Sequence, residues 1–233
     1  MQIIAHRGAS GDYPENTILA IEQAIAQGAD AVEIDVFAVD GELIVIHDHH
    51  LARTTNGSGS IYEYNLAQLQ QLDAGRGQRI PTLWQVLQLL APTALWLNIE
   101  LKGDNTVAPL LALLDNAEHQ LGINHQRLVI SSFNHHLLAA IKQQRPELKL
   151  GALTVSLPLD YAAFTQTLQA YSVNCDVSFI NQAFVDDAKA RGLKVYVYTV
   201  DQADDLARMA EYDVDGIFSN YPAKSRQQLQ LKT

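Results

Sequence analysis

Short apolar runs rich in β-branched residues recur along this chain, and most are followed by a stretch with helical spacing of its apolar positions. Strand candidates fall at 2–6, 31–36, 43–47, 95–101, 127–133, 148–154, 173–179, 194–200 and 216–220. Helical stretches fall at 15–27, 82–91, 105–120, 135–144, 160–170, 182–191, 202–211 and 222–231. Strands with so little polar alternation are buried on both faces, as in a parallel sheet covered by helices. Nine such strands are one too many for a closed barrel of eight. The surplus is explained by Asp40-Gly41, at the centre of "AVEIDVFAVDGELIVIHD" (31–48). Asp-Gly is a hairpin-turn pair, and a hairpin makes its return strand antiparallel. The run at 43–47 therefore leaves the count. The expectation is an α/β fold, a parallel (β/α)8 TIM barrel, built as one domain over residues 1–233.

A chain of 233 residues suits one such barrel, and 48% hydrophobic content supplies its core. The formal net charge of −10 disfavours nucleic acid and anionic membrane surfaces as partners. A small anionic substrate would then need a locally positive site. The single cysteine, Cys175, allows no intramolecular disulfide and fits a reducing compartment. The opening "MQIIAHRG" has no basic, signal-like start, and no apolar run approaches the ~20 residues of a membrane span. These features lead us to expect a cytoplasmic protein without stable membrane association, a monomer or homodimer.

Active sites of such barrels lie at the C-terminal ends of the strands. The first strand ends in His6-Arg7. The second offers Glu33 and Asp35, two apart and so on one side, with Ile34 and Val36 between and after them. Folding about positions 40–41 brings His47 level with Asp35 and close to Glu33. The third barrel strand carries Glu100 and Lys102, again two apart. Residues 48–80 form an insertion at the same mouth, and a loop this long in a compact domain is usually functional.

Glu33, Asp35 and Glu100 make an all-oxygen set suited to one hard divalent cation, Mg2+ or Ca2+, with Mn2+ as a further option. Arg7 and Lys102 match phosphate oxygens, one as a fork and one as a point charge. His6 and His47 supply the two groups that acid–base chemistry near neutral pH requires. Together these describe phosphoester cleavage. The run "HDHH" (47–50) is better read as one site histidine and two loop histidines than as a zinc site. Asp48 has three readings: it orients His47, touches the metal, or caps the following turn. Asn16 and Thr17 either cap the first helix or contact substrate.

The motifs "AHRG…PENT", "EIDV…DG…VIHD", "NIELK", "SSF" and "DGIFSNYP" resemble, in this order and spacing, those of the glycerophosphodiester phosphodiesterase family, in its cytoplasmic bacterial form. The resemblance spans nearly the whole chain, and "LARTTNGSGSI…LDAG…IPTLWQVL" is similar to that family's insertion and following helix. It implies a (β/α)8 barrel that hydrolyses glycerophosphodiesters, such as glycerophosphocholine or glycerophosphoethanolamine, to glycerol 3-phosphate and an alcohol. By position it implies His6 and His47 as the acid–base pair, Glu33, Asp35 and Glu100 as metal ligands, and Arg7 and Lys102 on the phosphate. The family is also similar to phosphodiesterases in which a substrate hydroxyl attacks first. One departure is "VYTVD" (197–201), where many members have a tryptophan and an asparagine; Tyr198 is then the expected glycerol-facing wall. A lysolipid-cleaving variant of the same site would need an apolar surface at the mouth for acyl chains.

Overall fold

The computed structural model describes residues 1–230. Its elements run β1 (Gln2–His6), α1 (Ile18–Ala26), β2 (Ala31–Val39), β3 (Glu42–Val45), α2 (Leu66–Leu69), α3 (Leu83–Leu90), β4 (Trp96–Leu101), α4 (Val107–Leu121) and β5 (Leu128–Ser132). They continue through α5 (His135–Gln144), β6 (Lys149–Thr154), β7 (Ser172–Asp176), α6 (Gln182–Ala190), β8 (Lys194–Tyr198), α7 (Ala203–Glu211), β9 (Gly216–Ser219) and α8 (Pro222–Gln230). The expected last helix, 222–231, is present as far as residue 230, and residue 231 lies outside the described residues.

β1, β2 and β4 to β9 pair in parallel around a closed ring, with β1 joined to both β2 and β9. This is the (β/α)8 barrel. β3 stands outside the ring, antiparallel to the upper part of β2. Asp40 (φ 53°) and Gly41 (φ 81°) are both left-handed, as a two-residue hairpin turn of this hand requires. The strands are apolar on both faces because one face fills the barrel and the other meets helices. The nine residues of β2 are all buried, for instance.

Two details differ from the sequence reading. A two-residue turn pairs Val39 with Glu42, so the partner of Asp35 is residue 46, not His47. Ile46 donates its N–H to the Asp35 carbonyl at 3.0 Å, and His47 has already left the ladder, which ends at Val45. The expected helix at 160–170 is a single 3-10 turn, Ala163–Thr165. Tyr161 (φ 50°) and Gln169 (φ 46°) are left-handed and cannot continue a right-handed helix. The Thr165 hydroxyl bonds the Ala162 carbonyl at 2.8 Å and competes with helical bonding there.

Residues 48–80 lie over the mouth and hold two 3-10 turns, Leu51–Arg53 and Ile61–Glu63, besides α2. They enclose a small apolar cluster with the hairpin, including Phe37, Ile46, Leu51, Ile61, Leu69 and Ile80. Among the described residues, no helix is long and apolar enough to cross a membrane.

Candidate active site

Register alone gathers the acidic residues. On the parallel strands His6 pairs with Glu33, and Asp35 pairs with Glu100. Three carboxylates from two adjacent strands therefore meet at the C-terminal end of the barrel. Glu33, Asp35 and Glu100 are 2%, 1% and 8% exposed, and each offers an oxygen within 4.8 Å of the others'.

Such a cluster is electrostatically crowded. Burial, then Asp35 and Glu100, push the Glu33 carboxyl well above the usual range. Burial and Asp35 push Glu100 up to about 7, against the pull of Lys102. Asp35 is buried too, yet Lys102 and Arg7 outweigh that and hold it below its ordinary value. Glu33 Oε1 is buried without a hydrogen-bond partner among the described residues. An orphaned carboxylate oxygen in an all-oxygen donor set fits a hard divalent cation.

The first loop locks this cluster in place. Arg7 (φ 58°) and Gly8 (φ 81°) turn the chain left-handed straight after β1. A Cβ at Gly8 would lie 2.6 Å from the Ala20 carbonyl carbon, so the loop packs directly on α1. The turn aims the Arg7 N–H at Glu33 Oε2, 2.9 Å away. Asn16, 3% exposed, clips Asp35 at both ends: its Nδ2 donates to Oδ2 at 2.9 Å, and its Oδ1 accepts the Asp35 N–H at 3.2 Å. Asn16 is left-handed (φ 58°), a conformation asparagine tolerates better than most residues. Thr17 is the α1 cap, its hydroxyl accepting from Ala20 N at 3.2 Å.

Two cations face the trio. Lys102 Nζ bonds Glu100 Oε1 at 2.6 Å and lies 3.4 Å from Asp35 Oδ1. Arg7 Nη1 bonds Glu15 Oε1 at 2.9 Å, and its Nε is 3.3 Å from Asp35 Oδ2. Glu15 also takes a two-pronged contact from Arg53, both bonds 2.8 Å, while the Arg53 Nε holds Asp48. The insertion is thus tied to the first loop by charge.

Each histidine has one ring nitrogen engaged. His6 Nδ1 meets Asn220 Oδ1 at 2.8 Å, and its Nε2 lies 4.0 Å from Glu33 Oε2. Burial and the adjacent Arg7 hold the His6 imidazole down to about 4, so it is neutral at pH 7. His47 Nδ1 meets Asp48 Oδ1 at 2.5 Å. Arg53 and His47 bring that carboxylate down to about 2.

Tyr198 joins the wall of a pocket of about 150 Å³ with Phe133, Leu153 and Phe218, above His6, Glu33 and Lys102. Its hydroxyl is spent on the Thr154 carbonyl at 2.7 Å, so it offers the pocket a ring rather than a donor. A wider groove of about 690 Å³ opens beside it, lined by Phe37, His49, His50, Arg53 and Asn134, and shares His47, Glu100, Lys102 and Phe133 with the pocket. All eight residues expected at the site therefore meet at one mouth, at the junction of the two cavities. Asn16, expected as a helix cap or a substrate contact, instead holds Asp35, and Asn220 lies at the end of the last strand, where the sequence placed it among the mouth residues; Glu15, Arg53, Phe133 and Asp201 were not expected there.

Residues 6–224 match the glycerophosphoryl diester phosphodiesterase family. A glycerophosphodiester phosphodiesterase of Caldanaerobacter subterraneus subsp. tengcongensis is 37% identical over 229 residues, covering 94% of each chain. One from Bacillus subtilis is 34% identical over 94% of this chain and 83% of its own. Among solved structures, an Oleispira antarctica phosphodiesterase in complex with the product sn-glycerol-3-phosphate superposes with a TM-score of 0.91 at 33% identity, covering 99% of this chain and 97% of that one. With the barrel closed, the acidic trio at its mouth and the match running almost end to end, the chain belongs to the glycerophosphoryl diester phosphodiesterase family and is a phosphoric diester hydrolase.

Proposed function

We propose that the protein cleaves glycerophosphodiesters, glycerophosphocholine and glycerophosphoethanolamine among them, to glycerol 3-phosphate and an alcohol. The observation that carries this reading is the acidic trio flanked by two imidazoles, each with Nδ1 engaged and Nε2 left for chemistry. Glu33, Asp35 and Glu100 hold one divalent cation, Mg2+, Ca2+ or Mn2+. When bound, it neutralises the crowded carboxylates and polarises the phosphoryl group. Arg7 and Lys102 add positive charge beside the phosphoryl oxygens. The enclosed pocket takes the glycerol, against the Tyr198 ring, and the wider groove takes the alcohol.

His6 is the base. It is neutral, and its Nε2 removes the proton of the attacking glycerol C2 hydroxyl as the new O–P bond forms. His47 is the acid. The Asp48 carboxylate holds the ring through Nδ1, and His47 Nε2 delivers a proton to the departing alcohol oxygen as the P–O bond breaks. Water then opens the cyclic phosphate with the two roles reversed.

Leaving-group chemistry separates the two roles. A p-nitrophenyl glycerophosphate expels a stable phenolate and needs no acid. His47→Gln should lose about 10²- to 10⁴-fold on glycerophosphocholine but far less on the nitrophenyl ester, while His6→Gln loses activity on both. Equal losses on the two substrates for His47→Gln would reject the assignment. A lysolipid substrate has one observation in its favour: Val155, Leu157 and Leu159 are exposed just beyond β6, at the mouth. Lysophosphatidylcholine therefore belongs in the substrate panel.

A further inference from the structure

We propose that Asp201 and Asn220 form a positioning pair that fixes the proton of His6 on Nδ1 and leaves Nε2 bare towards the mouth. The proposal deepens, and rests on, the reading of His6 as the base.

The hydrogen bonds running from Asp201 through Asn220 to His6 allow only one polarity. Asp201 lies in the loop after β8, and Asn220 directly follows β9. The Asp201 carboxylate accepts the Asn220 backbone N–H at 2.8 Å and the Ser219 hydroxyl at 3.0 Å. It also sits 2.6 Å from the Asn220 side-chain amide. A carboxylate has only lone pairs to offer, so the amide end facing it must be the NH2. The other end, Oδ1, then faces His6 Nδ1 at 2.8 Å. An amide oxygen only accepts, so Nδ1 must carry the hydrogen. A neutral imidazole has one N–H, which leaves Nε2 as a lone pair, 4.0 Å from Glu33 Oε2. Ser10 Oγ lies 2.7 Å from the His6 carbonyl and 2.8 Å from Asn220 Oδ1, tying the first loop to the same amide.

The choice of an amide has chemical content. A carboxylate directly on Nδ1, as at His47, places a full negative charge against the ring. An amide held by a carboxylate behind it orients the ring and selects the tautomer without placing a negative charge against it. The pair also spans the seam where β9 meets β1, so the barrel's closure aligns the base.

The test reads the tautomer directly. In histidine-15N-labelled protein, long-range 1H–15N correlation distinguishes a bare Nε2 from a bare Nδ1, with the His6 signals assigned by their loss in His6→Gln. Wild-type protein should show Nδ1–H and bare Nε2; the opposite tautomer overturns the proposal, whatever the variants do. In Asp201→Asn the amide at 220 faces a group with a single acceptor oxygen. The His6 tautomer should become mixed or reversed, and kcat should fall by about 10- to 100-fold with KM little changed. The exchanged pair, Asp201→Asn with Asn220→Asp, again presents an acceptor to Nδ1 and a donor between the two residues. It should restore Nδ1–H, with kcat left below wild type because a carboxylate now lies against the ring. An Asp201→Asn protein with the wild-type tautomer and undiminished kcat overturns the proposal. Full turnover in His6→Gln would remove the base reading instead, and the tautomer spectra would still decide the positioning claim.

Discussion

Replacing one of the three clustered carboxylates should stabilise this protein when no metal is present. Glu100 is the case to test. It is 8% exposed, it stands beside Asp35 in the register, and burial with that neighbour raises its pKa to about 7 from an ordinary value of 4.5. Because the folded value lies above the unfolded one, Glu100's contribution is fully present below pH 4.5 and is lost as pH rises through 7. At about 1.4 kcal/mol per unit, ionising it in the fold at pH 8 costs about 3 kcal/mol relative to a neutral group. Glu100→Gln has the shape of the protonated acid and escapes that cost. In EDTA at pH 8 the variant should melt roughly 6 to 12 °C above wild type, and at pH 5 the difference should shrink to less than about 1 kcal/mol. Differential scanning calorimetry with EDTA, then with added Mg2+ or Ca2+, reads both effects. The cation should raise the wild-type Tm, more at pH 8 than at pH 6, and leave Glu100→Gln nearly unmoved. An EDTA-treated Glu100→Gln that melts at or below wild type at pH 8 would refute the claim that the trio is crowded.

Asn16→Ala strips both hydrogen bonds from Asp35 and leaves alanine at φ 58°. The unsatisfied Asp35 N–H and the left-handed backbone should together cost about 3 to 5 kcal/mol, lowering Tm by roughly 10 °C in calorimetry. Tyr198→Phe removes only the bond to the Thr154 carbonyl, so steady-state assays should find kcat/KM within about threefold and stability lower by about 1 kcal/mol. Tyr198→Ala removes the ring itself and should raise KM for the glycerophosphodiester by about tenfold.

What could be read from the chain was whatever local chemistry dictates. Asp40-Gly41 announces a two-residue hairpin, and removing its return strand leaves a barrel count that the structure bears out. Glu33, Asp35 and Glu100 were visible because side chains two apart on a strand share a face, and because barrel mouths collect function. His47 was placed one residue off, since the register depends on the turn length and not on its midpoint. The segment at 160–170 has helical spacing, but Tyr161 and Gln169 take left-handed conformations that its composition does not announce. The least legible features were the ones that hold the site together. Asn220 reaches His6 across 214 positions, and Arg53 reaches Glu15 across 38. Contacts of that kind arise from closing the ring, and no local pattern encodes them.

The most direct measurement is glycerol 3-phosphate release from glycerophosphocholine, followed with a coupled dehydrogenase, in EDTA and then with Mg2+, Ca2+ or Mn2+ restored. The account predicts negligible release in EDTA and recovery when a divalent cation is added back. Release unaffected by EDTA, or none from folded protein with any of the three cations, would contradict it.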